Sequence, residues 1–168
     1  KEKQKILFFD FKIPYLLKDE NYPVGGATIE LNTWMEELKS RGLQVCVLTW
    51  RGAESYLDND NFCIVESYSP NISFWKFTWV YKYIKLFNAI KANNPDILIQ
   101  ECAGSITGVL ANIAKLLSIP FVYRVANDME VDERIEQRLS FMSRILFSYG
   151  LKKASIILCQ NNFQYAEL

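Results

Sequence analysis

Six short apolar runs recur along the chain, and the segments between most of them carry apolar residues at helical spacing. Residues 5–11 form the first run, expected as a strand. A polar loop with Pro14, Asp19, Glu20, Asn21 and Pro23 leads to Gly25 and Gly26. A helix is then expected over residues 27–41, where Leu31, Trp34, Met35 and Leu38 fall at i, i+3, i+4 and i+7. Gly42 suits the left-handed stop. Residues 43–49 and 62–68 read as the second and third strands, separated by a loop with Asp58, Asn59, Asp60 and Asn61. A long aromatic helix over residues 74–91 ends at Asn93-Asn94-Pro95, because the residue before a proline avoids the helical region. Residues 96–101 make the fourth strand. Ser105 is placed to cap a helix whose apolar face carries Ile106, Val109, Leu110, Ile113 and Leu117. The fifth strand covers residues 120–125. One further helix is expected through Ile135, Leu139, Met142, Leu146 and Tyr149, with Asp132 and Glu133 in a first turn where acids suit the helix dipole. The sixth strand covers residues 155–159, and a last helix begins after Asn161.

Short, near-continuously apolar strands alternating with helices are the pattern of a parallel sheet buried on both faces, with right-handed crossovers. The expected fold is α/β, a doubly wound parallel sheet in one domain over residues 1–168. Half of the 168 residues are apolar and 23% are charged, which supports a real core and argues against disorder. Lysine plus arginine equal aspartate plus glutamate at 19 each, so no overall charge attracts nucleic acid, and none is expected as a partner. The chain has no histidine. That excludes Ser-His-Asp and Cys-His mechanisms and His-based zinc sites within it. Cys46, Cys63, Cys102 and Cys159 show no C-x-x-C spacing, and three of them sit in strand-like apolar runs. They read as small buried hydrophobes in a reducing compartment. The charged first residues lead directly into a strand, without a signal-peptide pattern, and no apolar stretch reaches the roughly 18 residues that span a bilayer. A cytoplasmic location is therefore expected. Residues 164–168 read like an unfinished helix, so the natural chain is expected to continue.

In parallel sheets of this kind ligands bind beyond the carboxyl ends of the strands. Those ends offer residues 23–26, 101–105, 126–130 and 160–162. Gly25 and Gly26 precede a helix, where backbone amides can approach an anion such as a phosphate; the alternative is an ordinary turn. The spacing is not G-x-G-x-x-G, and no P-loop lysine follows. Asn127, Asp128 and Glu130 follow the strand that contains Arg124. They read either as a polar cluster at the ligand edge or, for Asn127 or Asp128, as a cap of the next helix. Glu101 either pairs with Arg124 or accepts a hydrogen bond from a sugar hydroxyl. The helix over residues 74–91 carries Phe74, Trp75, Phe77, Trp79, Tyr81, Tyr83 and Phe87 with Lys76, Lys82, Lys85 and Lys91 and no acid. It reads either as a core helix with snorkelling lysines or as a peripheral contact with an anionic membrane.

The segment KILFF at 5–9 is followed by Gly25-Gly26, Arg41-Gly42, VCVLT at 45–49, NPDILI at 94–99, SIPFV at 118–122 and KKASII at 152–157. This succession resembles the N-terminal domain of glycosyltransferase family 4, in particular its bacterial polysaccharide-biosynthesis members. The resemblance implies the Rossmann-like, acceptor-side half of a GT-B fold. It also implies a retaining hexosyltransferase that moves a sugar from a nucleotide-diphosphate sugar to a saccharide or lipid-linked acceptor, with no metal or cofactor. It assigns Gly25 and Gly26 to the loop near the donor phosphate and the acceptor. Many members carry a histidine after the fifth strand, where Ala126-Asn127-Asp128-Met129 stands here. This departure moves the expected role of this half from catalysis towards holding the acceptor. Asn127 and Asp128, expected to line the cleft, are the candidate catalytic positions. Gln160-Asn161-Asn162 stands where many members have a serine followed by an acid. Glu101, Ser105, Arg124, Glu130 and Gln160 are the acceptor-side polar candidates. The basic residues for the diphosphate and the paired donor glutamates belong, by the same resemblance, to a C-terminal domain outside these residues. The piece alone is therefore expected to be inactive. A non-catalytic binding module on the same scaffold is the alternative. A dinucleotide-binding dehydrogenase domain is disfavoured, because no glycine triplet follows the first strand.

Overall fold

The computed structural model describes residues 3–18, 23–56, 62–72 and 77–168. Asp19, Glu20 and Asn21, the loop residues Asp58, Asn59, Asp60 and Asn61, and Phe74, Trp75 and Lys76 of the aromatic helix lie outside the described residues. The fold is α/β and Rossmann-like, and the strands pair in parallel. Two compact units divide the chain, Lys1–Asp96 and Ile97–Leu168.

The first unit contains β1 (Lys5–Phe9), α1 (Ile13–Leu17), α2 (Gly26–Ser40), β2 (Gln44–Thr49), α3 (Ala53–Tyr56), β3 (Cys63–Glu66) and α4 (Thr78–Asn93). Strand β2 runs between β1 and β3, with Leu7 beside Cys46 and Cys46 beside Cys63. Ile6, Leu7, Phe8, Val45, Cys46, Val47 and Leu48 are buried, as strands covered on both faces require. Leu31 and Met35 of α2 and Leu86 and Ile90 of α4 complete this core. Gly42 ends α2 at φ +84° as expected, and Asn94 ends α4 at φ +48° ahead of Pro95. The helices α1 and α3 were not expected. Helix α1 forms because Pro14 suits a first turn. The buried-cysteine expectation holds for Cys46 alone. Cys63 and Cys102 are exposed and Cys159 is half-buried.

The second unit contains β4 (Ile97–Glu101), α5 (Ser105–Leu117), β5 (Phe121–Arg124), a 3-10 turn (Asp128–Glu130), α6 (Ile135–Arg138), α7 (Phe141–Lys153), β6 (Ile156–Leu158) and α8 (Asn162–Glu167). Strand β5 runs between β4 and β6. Two local expectations are corrected. Ser105 does not cap α5; Gly104 occupies the cap position in extended backbone, and Ser105 is the first helical residue. The single helix expected over residues 135–149 breaks at Leu139, which is extended, and Ser140 caps α7 by accepting from Ser143 N at 3.4 Å. Asp132 and Glu133 thus precede α6, and Asp132 accepts from Arg134 N at 2.9 Å.

Helices α5 and α7 meet backbone to backbone. A Cβ on Gly108 would lie 2.3 Å from the Leu146 carbonyl oxygen, and one on Gly150 would lie 2.8 Å from the Thr107 backbone. Gly→Ala inside a helix ordinarily stabilises by about 0.5–1 kcal/mol. Here the sign reverses, because the methyl meets backbone that has no room to move. Gly108→Ala and Gly150→Ala are each expected to cost about 1–3 kcal/mol or more in urea unfolding. Gly25→Ala and Gly26→Ala, with nothing within 4 Å of the added atom, are expected to leave the midpoint nearly unchanged. An unchanged or raised midpoint for Gly108→Ala would refute the close packing.

Candidate functional site

At the carboxyl ends of β4 and β5, Glu101 and Arg124 are register neighbours. Arg124 Nη1 donates to Glu101 Oε2, and the two side chains are only 1% and 2% exposed. A buried charge needs a partner, so this pair fastens β4 to β5 beneath the loops. The next carboxylate, Glu130, is also buried. Its Oε2 accepts from the Tyr123 hydroxyl at 2.8 Å and from Ala126 N at 3.0 Å, while Oε1 accepts from Asn127 Nδ2 at 3.0 Å. Burial pushes the Glu130 carboxyl above the ordinary range, with the bonds from Ala126 and Tyr123 opposing. Burial, reinforced by Glu130, likewise pushes the Tyr123 hydroxyl up.

The same loop is tied to the turn after β6. Asn127 Oδ1 accepts from Met129 N at 3.1 Å, so it caps the 3-10 turn and not α6. Asp128 Oδ1 accepts from Asn161 Nδ2 at 3.0 Å and from Gln164 Nε2 at 2.9 Å. These two bonds hold the Asp128 carboxyl below its usual range. Oδ2 of the half-exposed Asp128 takes no part in them. Asn161 caps α8 by accepting from Gln164 N at 2.8 Å, and the buried Gln164 accepts from Gln160 N at 2.7 Å. Gln160 Nε2 donates to Val125 O at 3.0 Å and to Ala126 O at 3.3 Å. Glu130, Asn127, Asp128 and Gln160, all candidates from the sequence, thus meet in one network. Tyr123 and Gln164 were missed. Only the Asn161-x-x-Gln164 spacing, a capping-box pattern, could have signalled Gln164. Ser105 is exposed at the start of α5.

In the first unit Gly25 is the N-cap residue of α2 and Gly26 its first residue. Both are exposed, with open space where side chains would be. Asp10, at the end of β1, accepts from Lys12 N, from Ile13 N at 3.1 Å and from the Thr28 hydroxyl at 3.3 Å. It therefore fixes the first turn of α2 against β1, a role that no sequence periodicity marks. Burial pushes its carboxyl above the ordinary range.

The two loop carboxylates give opposite pH dependences. Asp128 is lowered from its ordinary 3.8, so its stabilisation is complete above that value and is lost as pH falls through the folded-state pKa. Glu130 is raised from its ordinary 4.5, so its contribution is greatest below that value and declines as pH rises through the folded-state pKa. The deficit of Asp128→Asn in urea unfolding is expected to shrink towards pH 3. That of Glu130→Gln is expected to shrink from pH 4 towards pH 8. Parallel trends for the two variants would overturn the assignment.

A family model described as Glycosyl transferase 4-like matches residues 19–161, most of the chain. Comparison with curated proteins gives no significant match. Among solved structures, MurG of Acinetobacter baumannii aligns with a TM-score of 0.63 at 15% identity, over 97% of this chain and 42% of its own. Sucrose-phosphate synthase of Thermosynechococcus elongatus aligns with a TM-score of 0.60 at 13% identity, over 92% of this chain and 42% of its own. A putative UDP-N-acetylglucosamine 2-epimerase of Listeria monocytogenes reaches 0.59 at 11% identity, over 99% of this chain and 42% of its own. The present chain therefore spans less than half the length of each. At these identities the likeness is one of fold, which transferases and an epimerase share; the family match decides between them. The chain belongs to the glycosyl transferase 4-like family and carries the N-terminal, Rossmann-like domain of a GT-B glycosyltransferase.

Proposed function

We propose that this chain is the acceptor-side half of a retaining, cytoplasmic glycosyltransferase. It would move a hexosyl group from a nucleotide-diphosphate sugar to a saccharide or lipid-linked acceptor, without metal or cofactor, in bacterial polysaccharide biosynthesis. The observation that carries the reading is the open Gly25-Gly26 turn at the start of the 15-residue α2, in a chain of this family. Amides at a helix N-terminus favour negative charge, and the absence of side chains lets a phosphate approach the backbone. In the second unit Asp128 is the better placed of the two catalytic candidates. Its lowered pKa keeps it ionised at neutral pH, and Oδ2 lies outside the network as an acceptor for a sugar hydroxyl. The Asn127 amide is already occupied by Met129 and Glu130. The groups that hold the diphosphate and the donor sugar would come from a C-terminal domain.

A longer protein that contains this chain is expected to transfer sugar from a nucleotide-diphosphate donor with retention at the anomeric carbon, read by NMR of the product. Gly25→Val and Gly26→Val should lower transfer at least about tenfold, or about 1.4 kcal/mol in the barrier, with little change in urea midpoint. Residues 1–168 alone should give no transfer. Unimpaired valine variants would remove the role given to the glycine turn, and transfer by residues 1–168 alone would overturn the need for a C-terminal domain. No transfer by the longer protein would favour the non-catalytic binding module.

Helix α4 supports a second element of the proposal, peripheral contact at the inner membrane face. Phe77 and Trp79 are 74% and 71% exposed, whereas only Leu86 and Ile90 of this helix are buried. Lys82 Nζ lies 5.1 Å from the Tyr68 ring centre and Lys85 Nζ 5.6 Å from that of Tyr81, so aromatic and basic groups share the surface. Among the described residues no helix is long and apolar enough to cross a membrane. Anionic vesicles should co-sediment the protein, and Lys82→Glu with Lys85→Glu should reduce that binding severalfold. No binding to anionic vesicles by either form would remove the membrane contact.

A further inference from the structure

Cys46 and Cys63 stand in register on the adjacent parallel strands β2 and β3, so their side chains leave the sheet on the same face. Neighbouring strands lie about 4.8 Å apart. That falls inside the roughly 4.4–6.8 Å between Cα atoms that a disulfide spans. Cys46 is fully buried, and Cys63 is exposed. One thiol therefore meets solvent with a second directly behind it. We propose that this pair is a thiol modification site, in which Cys63 is oxidised by a hydroperoxide and Cys46 resolves the product as an intramolecular disulfide.

The surroundings prepare the two sulfurs for different parts. The Cys46 thiol donates a hydrogen bond to Cys63, and with the nearby Lys5 ammonium this lowers the Cys63 thiol to about 6, against burial and the Glu54 carboxylate. The same bond and burial push the Cys46 thiol up, while Asn93 Nδ2 donates to Cys46 Sγ at 3.8 Å. The thiolate is the nucleophile, so Cys63 attacks first. Its sulfur bonds to one peroxide oxygen, the O–O bond breaks, and the departing alkoxide or hydroxide takes up a proton. The sulfur, oxidised by two electrons, is now a sulfenic acid. Cys46 then attacks that sulfur as it gives up its proton; the S–S bond forms, the S–O bond breaks, and water leaves. In sum, two thiols and one hydroperoxide give a disulfide, an alcohol or water, and one further water. The disulfide would bracket residues 47–62 and bind β3 covalently to β2. This inference does not depend on the transferase reading.

The experiment uses the 168-residue protein. With iodoacetamide at pH 7, Cys63 should alkylate severalfold faster than Cys102 or Cys159, and Cys46 should not react in the folded state. One equivalent of hydrogen peroxide should remove the mass of two hydrogens and yield a linked peptide pair containing Cys46 and Cys63, reversed by dithiothreitol. In Cys46→Ser the sulfenic acid at Cys63 should persist and be trapped by dimedone, whereas Cys63→Ser should form no linkage. Alkylation of Cys63 no faster than of Cys159, or no Cys46–Cys63 linkage after peroxide, would overturn the proposal. Both of these measurements are made on the unsubstituted protein, so poor folding of either serine variant does not affect them.

Discussion

Polar side chains at the carboxyl ends of β4 and β5 are buried by the fold, and each must be matched by a partner inside the protein. Water does not reach Glu101, Arg124 or Glu130 to any useful extent. An unpaired charge there would cost several kcal/mol, so the arrangement of partners comes before any other feature of this edge. Arg124 answers Glu101 across the strand pair. Glu130 gathers the Tyr123 hydroxyl, the Ala126 amide and the Asn127 side chain around one carboxylate. That convergence bends the chain back on itself just after β5, and the bend presents Asp128 to the turn after β6.

The polar groups at this edge divide into those that build and those that remain available. Asn127, Glu130, Gln160 and Gln164 spend their hydrogen-bonding capacity on the loops themselves. Among what stays open in the second unit is one oxygen of Asp128. In the first unit it is bare backbone at Gly25 and Gly26, anchored by Asp10 and Thr28. These are main-chain dipoles and a few acceptors, groups with little acid–base chemistry of their own. That fits a chain with no histidine.

The strands were legible because both their faces are buried: KILFF and VCVLT have to be apolar almost throughout. The glycine stop at Gly42 and the proline stop at Pro95 were legible because they act within a few residues. Part of what escaped is a local cap that periodicity does not mark, and the rest depends on contacts distant in sequence. The extended Leu139 is apolar, so the periodicity runs through it unbroken, and only the cap made by Ser140 shows where α7 starts. Gly108 and Gly150 look like weak points of two helices until the helices are seen to touch there. Cys63 belongs to an apolar run yet lies exposed. The site residues were half legible. Their positions followed from the rule that ligands gather at strand ends, but the partners that hold Asp128 and Glu130 lie on other elements.

The tie between Asp128 and Gln164 also has a meaning in time. Its two ends are separated by 36 residues. On a ribosome the segment that bears Asp128 emerges well before α8, and Asn161 and Gln164 are among the last residues of the piece to appear. Helix α5 likewise waits for α7 before its glycine seam can close. The second unit is thus completed from its far end, and during synthesis the loop edge that bears Asp128 acquires a fixed shape only when the chain has passed beyond Gln164.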